Sequence, residues 1–276
     1  MQSPTFIKWP GGKTRLIKQI DPYLPTNIDR YFEPFLGGGA MFFHIKQKYN
    51  PKFCVISDIN DDLIETFKVV RDNPMAIIRS LHYFSKNDSE KFYYRLRTLF
   101  NKREINGIKR YAAFIYFTKS CFNGVYRVNK KGEFNVPYGY YKNRKIFNKA
   151  DILLASKLLQ GVIIKKQDFN KILPHIKNDD LVYLDPCYDP IKRTSFVHYT
   201  PKRFSEEDRT ALFEFINKLN TLDAKVVLSN NDIKEVKTLY KNDYNINYVN
   251  AARCVNVDPR GRGKISELLI TNYQIF

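Results

Sequence analysis

Several features that would assign this chain to a structural class at once are missing from it. Only four cysteines occur among 276 residues, and none forms a Cys-x-x-Cys pair. Neither a zinc site nor a disulfide framework is indicated, so we expect reduced thiols and no bound metal. No apolar run approaches the roughly 18 residues that span a bilayer, and the N-terminus lacks the pattern of a secretory signal. We therefore expect an intracellular protein that does not enter a membrane.

Acidic residues are also scarce. The chain has 28 Asp and Glu against 46 Lys and Arg, which gives a net charge of +18. Half of this excess lies in residues 102–145, which hold eleven basic and two acidic residues. A solvated basic surface would explain such a stretch, but Tyr and Phe residues alternate with the charges, and this mixture favours a nucleic-acid partner.

Short apolar runs alternate with helical periodicity along most of the chain, and this alternation predicts an α/β fold with a mostly buried sheet. The 43% of apolar residues suffice for one large domain or for a domain with an insertion. The predicted strands are residues 30–32, 53–57, 162–164, 181–184, 226–229 and 268–271. The predicted helices are residues 40–48, 61–71, 74–84, 108–120, 150–159 and 205–219.

The alternation is interrupted between residues 69 and 145, where two helical patterns precede a turn-rich, basic and aromatic segment. We interpret residues 69–145 as an inserted domain, and residues 1–68 with 146–276 as one discontinuous domain. Within the insertion, residues 122–139 resemble a β-hairpin with a glycine turn near Gly132. A ribbon of this kind fits the major groove of DNA, where Arg127 can pair with guanine, Asn123 with a base edge or a phosphate, and Val125 with a thymine methyl group.

A glycine-rich turn follows the first predicted strand. Gly37, Gly38 and Gly39 precede a helical pattern, and glycines there allow the backbone to approach a ligand closely. Asp58 ends the second predicted strand, where a carboxylate can accept hydrogen bonds from ribose hydroxyls; alternatively, it is the N-cap of the next helix. Because the glycines do not follow the G-x-G-x-x-G spacing, a nicotinamide cofactor is disfavoured.

A second glycine-containing segment, residues 9–14, invites a phosphate-loop interpretation because Gly12 is followed by Lys13 and a threonine. The first glycine of that motif would fall at Ile7, and no strand precedes it, so a nucleoside triphosphate site is not indicated. The segment can still bring an aromatic ring, Trp9, and the Lys13 ammonium close to a cofactor.

The most informative segment is Asp185, Pro186, Cys187 and Tyr188, which follows the apolar run at residues 181–184. An exocyclic amino group of a base is a poor nucleophile, so a site that methylates it needs hydrogen-bond acceptors beside the nitrogen. The Asp185 carboxylate and the Pro186 carbonyl can supply both acceptors, and Tyr188 can stack on a base that has left its helix. An Asp-Pro pair is also an ordinary end to a strand.

Taken in order, these segments resemble the Dam-type DNA adenine methyltransferases. The resemblance spans nearly the whole chain and is carried by residues 8–13, 31–39, 58–60, 122–124, 185–188, 228–230 and 262–267. It implies a Rossmann-like, S-adenosylmethionine-dependent methyltransferase sheet with an inserted helical DNA-recognition domain and a β-hairpin. It also implies direct methyl transfer to adenine N6 in double-stranded DNA, within GATC, without a covalent intermediate or a metal.

The resemblance further implies roles for single residues. The implied cofactor contacts are Trp9, Lys13, Phe35, Gly37, Gly38, Gly39, Asp58 and Asp185. Adenine would be held by Asp185, Pro186 and Tyr188. Phe122 resembles the aromatic residue that wedges into the duplex, and Asn123, Val125 and Arg127 fall where the family reads or anchors its target.

Three positions differ from the usual family pattern. Cys187 replaces a second proline, while Phe122 and Val125 replace the commoner tyrosine and leucine. Pro186 followed by Cys187 also resembles the nucleophile of cytosine-C5 enzymes, but Asp185 and Tyr188 favour the amino-methyltransferase interpretation. Two alternatives remain open from the residues alone, a cytosine-N4 methyltransferase and an inactive DNA-binding regulator. A separate cognate restriction endonuclease is a possible partner.

Overall fold

The structure is a computed structural model that describes residues 3–187, 205–252 and 264–274. Its strands are β1 (Arg30–Glu33), β2 (Phe53–Asp58), β3 (Ile163–Lys166), β4 (Leu181–Leu184), β5 (Lys225–Asn231), β6 (Asn245–Ala252) and β7 (Lys264–Thr271). Its helices are α1 (Ile17–Ile20), α2 (Ala40–Lys48), α3 (Asp61–Asp72), α4 (Pro74–Lys86), α5 (Glu90–Asn101), α6 (Gly107–Ser120), α7 (Lys149–Leu158), α8 (Glu206–Thr221) and α9 (Lys234–Tyr240). No helix in this part of the chain is long and apolar enough to cross a membrane.

The strands form one seven-stranded sheet in the order β3-β2-β1-β4-β5-β7-β6. Strands β1 to β5 are parallel to one another, and β7 runs antiparallel to both β5 and β6. The predicted Rossmann-like α/β fold is confirmed, and each predicted strand is present. The chain order reverses between β1 and β4, and the crevice at such a switch point is where open α/β sheets bind ligands.

Four elements were missed from the sequence: the strand β6, the short helices α1 and α9, and the longer helix α5. Strand β6 lies at the edge of the sheet, and among its described side chains only Val249 is fully buried, so it has no continuous apolar run. Helix α5 has buried residues at Tyr93, Leu96 and Phe100, a helical spacing that is obscured by the aromatic and basic residues between them. The predicted helices all occur, with ends within two residues of those expected.

Apolar cores lie on both faces of the sheet. Tyr31 and Phe32 are consecutive in β1 and therefore point to opposite faces. Tyr31 joins a core with α2, α3 and α7, whereas Phe32 joins a core with α8 and α9. The first core continues into α4, α5 and α6, so the segment 69–145 packs directly onto the helices beside the sheet. Its division from the rest of the chain as a separate domain remains a prediction.

A buried ion pair anchors α6 to the start of α3. Arg110 donates from Nε and Nη2 to the two carboxylate oxygens of Asp62, both at 2.8 Å, and from Nη1 to the carbonyl oxygen of Phe100. Because α3 begins just after β2, this two-point contact sets the distance between the basic segment and the carboxyl edge of the sheet.

Residues 121–139, called the basic ribbon below, form the predicted hairpin. Two isolated antiparallel bridges, Cys121 with Tyr138 and Val128 with Phe134, join its arms. The turn is closed by a hydrogen bond from the Gly132 N–H to the Asn129 carbonyl, and Gly132 has a φ of +77°, which explains the glycine there. The ribbon thus has the expected turn, but bridges rather than regular strands.

Helix α5 holds the second arm of the basic ribbon. The Tyr93 hydroxyl and Arg97 Nη1 both donate to the Val136 carbonyl oxygen, at 2.8 and 2.9 Å. Asn101 donates to the Phe134 carbonyl oxygen and accepts from the Phe134 N–H. The backbone of this arm is therefore fixed by side chains of a neighbouring helix rather than by a sheet.

Candidate active site

Three carboxylates lie at the carboxyl ends of neighbouring parallel strands. Asp58 ends β2, Glu33 ends β1, and Asp185 directly follows β4. Because β2, β1 and β4 are adjacent in the sheet, these side chains converge beside the switch point. This convergence defines the candidate active site.

The glycine turn is bound to Asp58. The Gly37 N–H donates to Asp58 Oδ2 at 3.1 Å, and the Asn60 N–H donates to Asp58 Oδ1 at 2.9 Å. Gly39 has a φ of +71° at the N-cap of α2, a conformation that side chains disfavour. The N-cap of α3 is Asn60, whose side chain accepts from the Leu63 N–H, so the alternative interpretation of Asp58 as that cap is wrong.

Burial raises the pKa of Asp58, while the N–H groups of Asn60 and Gly37 oppose this effect by stabilising the carboxylate. These two donors hold the side chain at the mouth of the turn, where the sequence predicted a ribose contact. The residue as a whole is partly exposed.

Trp9 lies against the glycine turn. A β-carbon placed on Gly37 would be 3.0 Å from Trp9 Cδ1, and one placed on Gly38 would be 3.2 Å from Trp9 Cβ. Phe35, at the start of the turn, stacks on Phe169 with ring centroids 5.4 Å apart. The structure therefore brings these predicted cofactor contacts to one edge of the sheet.

Lys13 lies among the carboxylates. Only 3% of its side chain is exposed; its Nζ lies 2.8 Å from Asp185 Oδ1 and donates to the Gly11 carbonyl oxygen at 2.9 Å. Glu267 on β7 lies 3.8 Å from the same nitrogen. From the sequence, Lys13 and Asp185 were predicted only as separate cofactor contacts, and Glu267 was not among the candidate site residues.

Glu33 was also missed as a site residue, although it was part of the glycine motif. It is 2% exposed and accepts a hydrogen bond from the Tyr31 hydroxyl at 2.7 Å. Burial raises its pKa well above the ordinary value, helped by the charges of Asp185 and Asp58 and opposed by the Tyr31 hydrogen bond. An acidic residue at a strand end, like Asp58, was the signal that could have identified it.

The raised pKa of Glu33 predicts a pH-dependent stability. Above the ordinary value of 4.5, the unfolded chain releases a proton that the folded protein retains, so this carboxyl lowers the stability progressively as pH rises. In Glu33→Gln the side chain has nearly the shape of the protonated carboxyl group but carries no group that titrates in this pH range. Between pH 5 and pH 8 we expect the free energy of unfolding of the variant to rise relative to that of the wild type by at most about 1.4 kcal/mol per pH unit, and its melting temperature to rise with it.

Thermal unfolding of both proteins across that range measures the effect. Asp58, which also has a raised pKa, is present in both proteins, so its contribution largely cancels in the comparison. A difference in melting temperature that stayed constant with pH would show that Glu33 is ionised in the folded protein.

Cys187 follows the Asp185-Pro186 pair. The residue is exposed overall, yet desolvation of its thiol, together with the charges of Asp58 and Asp185, raises the pKa of that group to about 12. A thiol with this pKa is a poor nucleophile at neutral pH, in keeping with the rejection of a cytosine-C5 mechanism. Tyr188, the third predicted adenine contact, lies outside the described residues, as do Arg262 and Gly263 of the C-terminal motif.

The predicted DNA contacts cluster on the first arm of the basic ribbon. Phe122 is 51% exposed, and Asn123 has a φ of +56°, which turns the chain sharply there. Val125 and Arg127 are half-buried, and Arg127 Nε donates to Asn135 Oδ1 on the other arm at 2.8 Å. No group of three or more His, Cys, Asp or Glu residues in the described part of the chain is arranged to hold a metal ion.

Comparison with known proteins identifies the family of this chain. A family model described as D12 class N6 adenine-specific DNA methyltransferase matches residues 9–255. The chain belongs to this family. It is therefore an adenine-specific DNA methyltransferase, and the alternative of a cytosine-N4 enzyme is disfavoured.

Similar proteins align over nearly the full chain of this D12-class methyltransferase. The Type II methyltransferase M.MjaIII of Methanocaldococcus jannaschii is 44% identical over 99% of this chain and all of that protein. The Type II methyltransferase M1.LlaDCHI of Lactococcus lactis subsp. cremoris is 38% identical over 97% of this chain and 95% of that protein. The DNA adenine methylase of Vibrio cholerae is 30% identical over 96% of this chain and 94% of that protein.

Proposed function

We propose that this enzyme transfers a methyl group from S-adenosylmethionine to N6 of adenine within GATC in double-stranded DNA. The observation that carries the proposal is the convergence of Asp58, Glu33 and Asp185 beside the glycine turn, with Lys13 paired to Asp185. Each of these residues stands at the carboxyl edge of the sheet, where both a nucleoside and a base can enter.

The charges of the site fit S-adenosylmethionine, which carries a sulfonium, an ammonium and one carboxylate. Asp58 and Asp185 suit the ribose hydroxyls and the cationic groups, and Lys13 suits the carboxylate. The glycines of the turn allow Trp9 to pack directly on the backbone, so that the ring would border a nucleoside bound there. When bound, this cofactor supplies a methyl group that is already electrophilic because it is attached to a positively charged sulfur.

Asp185 and Pro186 then act on the adenine amino group. The Asp185 carboxylate accepts one N6–H and the Pro186 carbonyl accepts the other, so that the nitrogen is held in the orientation for attack. Formation of the new C–N bond would break the bond between the methyl carbon and the sulfur and release S-adenosylhomocysteine, and the proton that leaves N6 would be accepted by Asp185. Alignment of this kind contributes about 7–11 kcal/mol to catalysis in favourable cases.

An adenine inside a duplex cannot reach this edge of the sheet, so we propose that the base is flipped out of the helix. Tyr188 would stack on it, and the exposed Phe122 ring would fill the space left behind. Asn123, Val125 and Arg127 would read neighbouring bases from the major groove, with Arg127 on a guanine of GATC. The basic segment 69–145 would then act as the target-recognition domain.

Two of the relatives are named Type II methyltransferases, and this supports a role in restriction-modification. We propose that a separate endonuclease of the same specificity accompanies the enzyme, which would protect its sites by methylation. The enzyme would act inside the cell, wherever that DNA lies.

The test is transfer of labelled methyl from S-adenosylmethionine to unmethylated duplexes that contain GATC or its single-base variants, followed by nucleoside analysis. The expected product is N6-methyladenine in GATC duplexes alone. Label in N6-methyladenine of another sequence would refute GATC, and label in N4-methylcytosine would refute the adenine target. Absence of label together with cofactor binding would favour an inactive regulator.

A further inference from the structure

The glycine turn and the basic ribbon are joined by stacked aromatic rings. Trp9, which lies on the Gly37 turn, stacks on Tyr126 with ring centroids 5.3 Å apart and an interplanar angle of 21°. Tyr126 in turn stacks on Phe134, at 5.5 Å and 27°. Phe134 stacks on Phe117 of α6, at 5.1 Å and 25°. We call Trp9, Tyr126, Phe134 and Phe117 the aromatic row.

Tyr126 occupies the central position in this row. It is 5% exposed and stands between Val125 and Arg127 on the first arm of the basic ribbon. Phe134 is on the second arm and forms the bridge with Val128, so the contact between Tyr126 and Phe134 also aligns the two arms. A displacement of Trp9 cannot leave Tyr126 in place without opening a void in a closely packed core.

Displacing Tyr126 would also move the recognition side chains. Alternate residues of an extended segment point to opposite sides, so Tyr126 faces the core while its two neighbours face outward. Arg127 is fixed to Asn135, which directly follows Phe134 of the row. The position of Arg127 therefore depends on the same packing that holds Trp9 on the glycine turn.

The Tyr126 hydroxyl gives a second connection to the site. Burial raises the pKa of this hydroxyl, the charge of Asp62 adds to the effect, and a hydrogen bond with the Asn60 side chain opposes it. The Asn60 N–H donates to Asp58, which also holds the Gly37 N–H. Tyr126 is thus linked to the glycine turn through the Trp9 ring and to the Asp58 carboxylate through Asn60.

We propose that Tyr126 is a positioning residue that couples occupation of the methyl-donor site to the placement of Arg127, and thereby to the choice of DNA sequence. The inference rests on the proposed function and adds a residue that contacts neither the donor nor the adenine. A donor that orders the glycine turn and Trp9 would favour one position of the ribbon. By reciprocity, the target DNA would raise the affinity for the donor by the same factor.

The experiment measures a coupling factor, the ratio of dissociation constants for a target duplex without and with saturating S-adenosylhomocysteine. The duplex is one that the methyl-transfer assay has identified as a substrate. For the wild type we expect a factor of at least about 5 on the target duplex and a smaller one on single-base variants. Because the factor is a ratio, a general weakening of DNA binding cancels.

Four variants locate the coupling. Tyr126→Phe keeps the ring and should retain the factor, whereas Tyr126→Leu breaks the row and should reduce it to within about 2-fold of unity. Phe134→Leu breaks the aromatic row on the second arm of the ribbon and should reduce the coupling factor in the same way. It tests the inference if Tyr126→Leu does not fold. Tyr240→Leu removes an equally buried tyrosine from the other core and should leave the factor unchanged.

The outcomes separate this inference from the proposed function. Failure of the wild type to bind S-adenosylhomocysteine would refute the proposed donor and this inference with it. Binding without any coupling in the wild type would refute the inference alone. The inference would also be overturned if Tyr126→Leu and Phe134→Leu both kept the coupling factor of the wild type. The same holds if Tyr240→Leu lowered the coupling factor as much as they do.

Discussion

Asp185→Ala should lower the rate of methyl transfer by about 1,000-fold or more at saturating donor, because the adenine amino group loses the acceptor that orients it. The substitution also removes the nearer of the two carboxylates beside the almost fully buried Lys13 ammonium, which lies 2.8 Å from Asp185 and 3.8 Å from Glu267. Weakening the compensation of a buried charge is costly, so the variant should also unfold at a lower temperature. Single-turnover rates and thermal unfolding measure the two effects.

A double variant separates the loss of catalysis from the loss of stability. Asp185→Asn combined with Lys13→Met removes the buried ammonium together with the carboxylate, so much of the stability should return while activity stays low. Cys187→Ser is the matched control within the same motif and should keep a rate within a few fold of the wild type. Near-wild-type turnover by Asp185→Ala, or loss of activity in Cys187→Ser, would contradict the assigned chemistry.

Arg127→Ala should reduce discrimination between the target and single-base variants by roughly 5- to 150-fold, the equivalent of about 1–3 kcal/mol for one arginine-guanine pair. The Arg127 side chain is held on the basic ribbon by a hydrogen bond from its Nε to Asn135, whereas a bidentate contact with guanine uses the terminal Nη atoms. Ratios of kcat/KM for the target and each variant duplex give the discrimination directly.

Lys131→Ala provides the control for charge. Lys131 is exposed at the turn of the same ribbon, and its loss removes one positive charge, as Arg127→Ala does. A phosphate contact there should weaken binding about equally on all duplexes and lower the salt dependence by about one unit. If both variants weakened all duplexes equally, Arg127 would be a phosphate contact and not a base reader.

Much of the fold was accessible from the sequence because buried parallel strands are marked by short apolar runs. The runs at residues 53–57 and 181–184 became β2 and β4, and the glycine turn led into α2 as expected. Strand β6 and helix α5 escaped detection because each buries a narrow face and mixes polar or charged residues into its pattern. Local periodicity weakens when only part of an element is buried.

The residues of the candidate site could be predicted from the sequence only in part. Trp9, Lys13, Asp58 and Asp185 could be selected because each stands in a short motif with recognisable chemistry. Glu33 carried the same strand-end signal as Asp58 but was not selected, whereas Glu267 could not be assigned a place in the site, since its neighbour Lys13 lies far away in the chain.

The sequence by itself determined the chemistry of this protein: which strand ends carry acids, where the glycines stand, and that the acceptor pair of Asp185 and Pro186 follows an apolar strand. Tertiary structure alone decided which of these groups touch. The ion pair between Lys13 and Asp185 and the stack of Trp9 on Tyr126 join distant parts of the chain. Such contacts depend on strand order and core packing, which no local motif encodes.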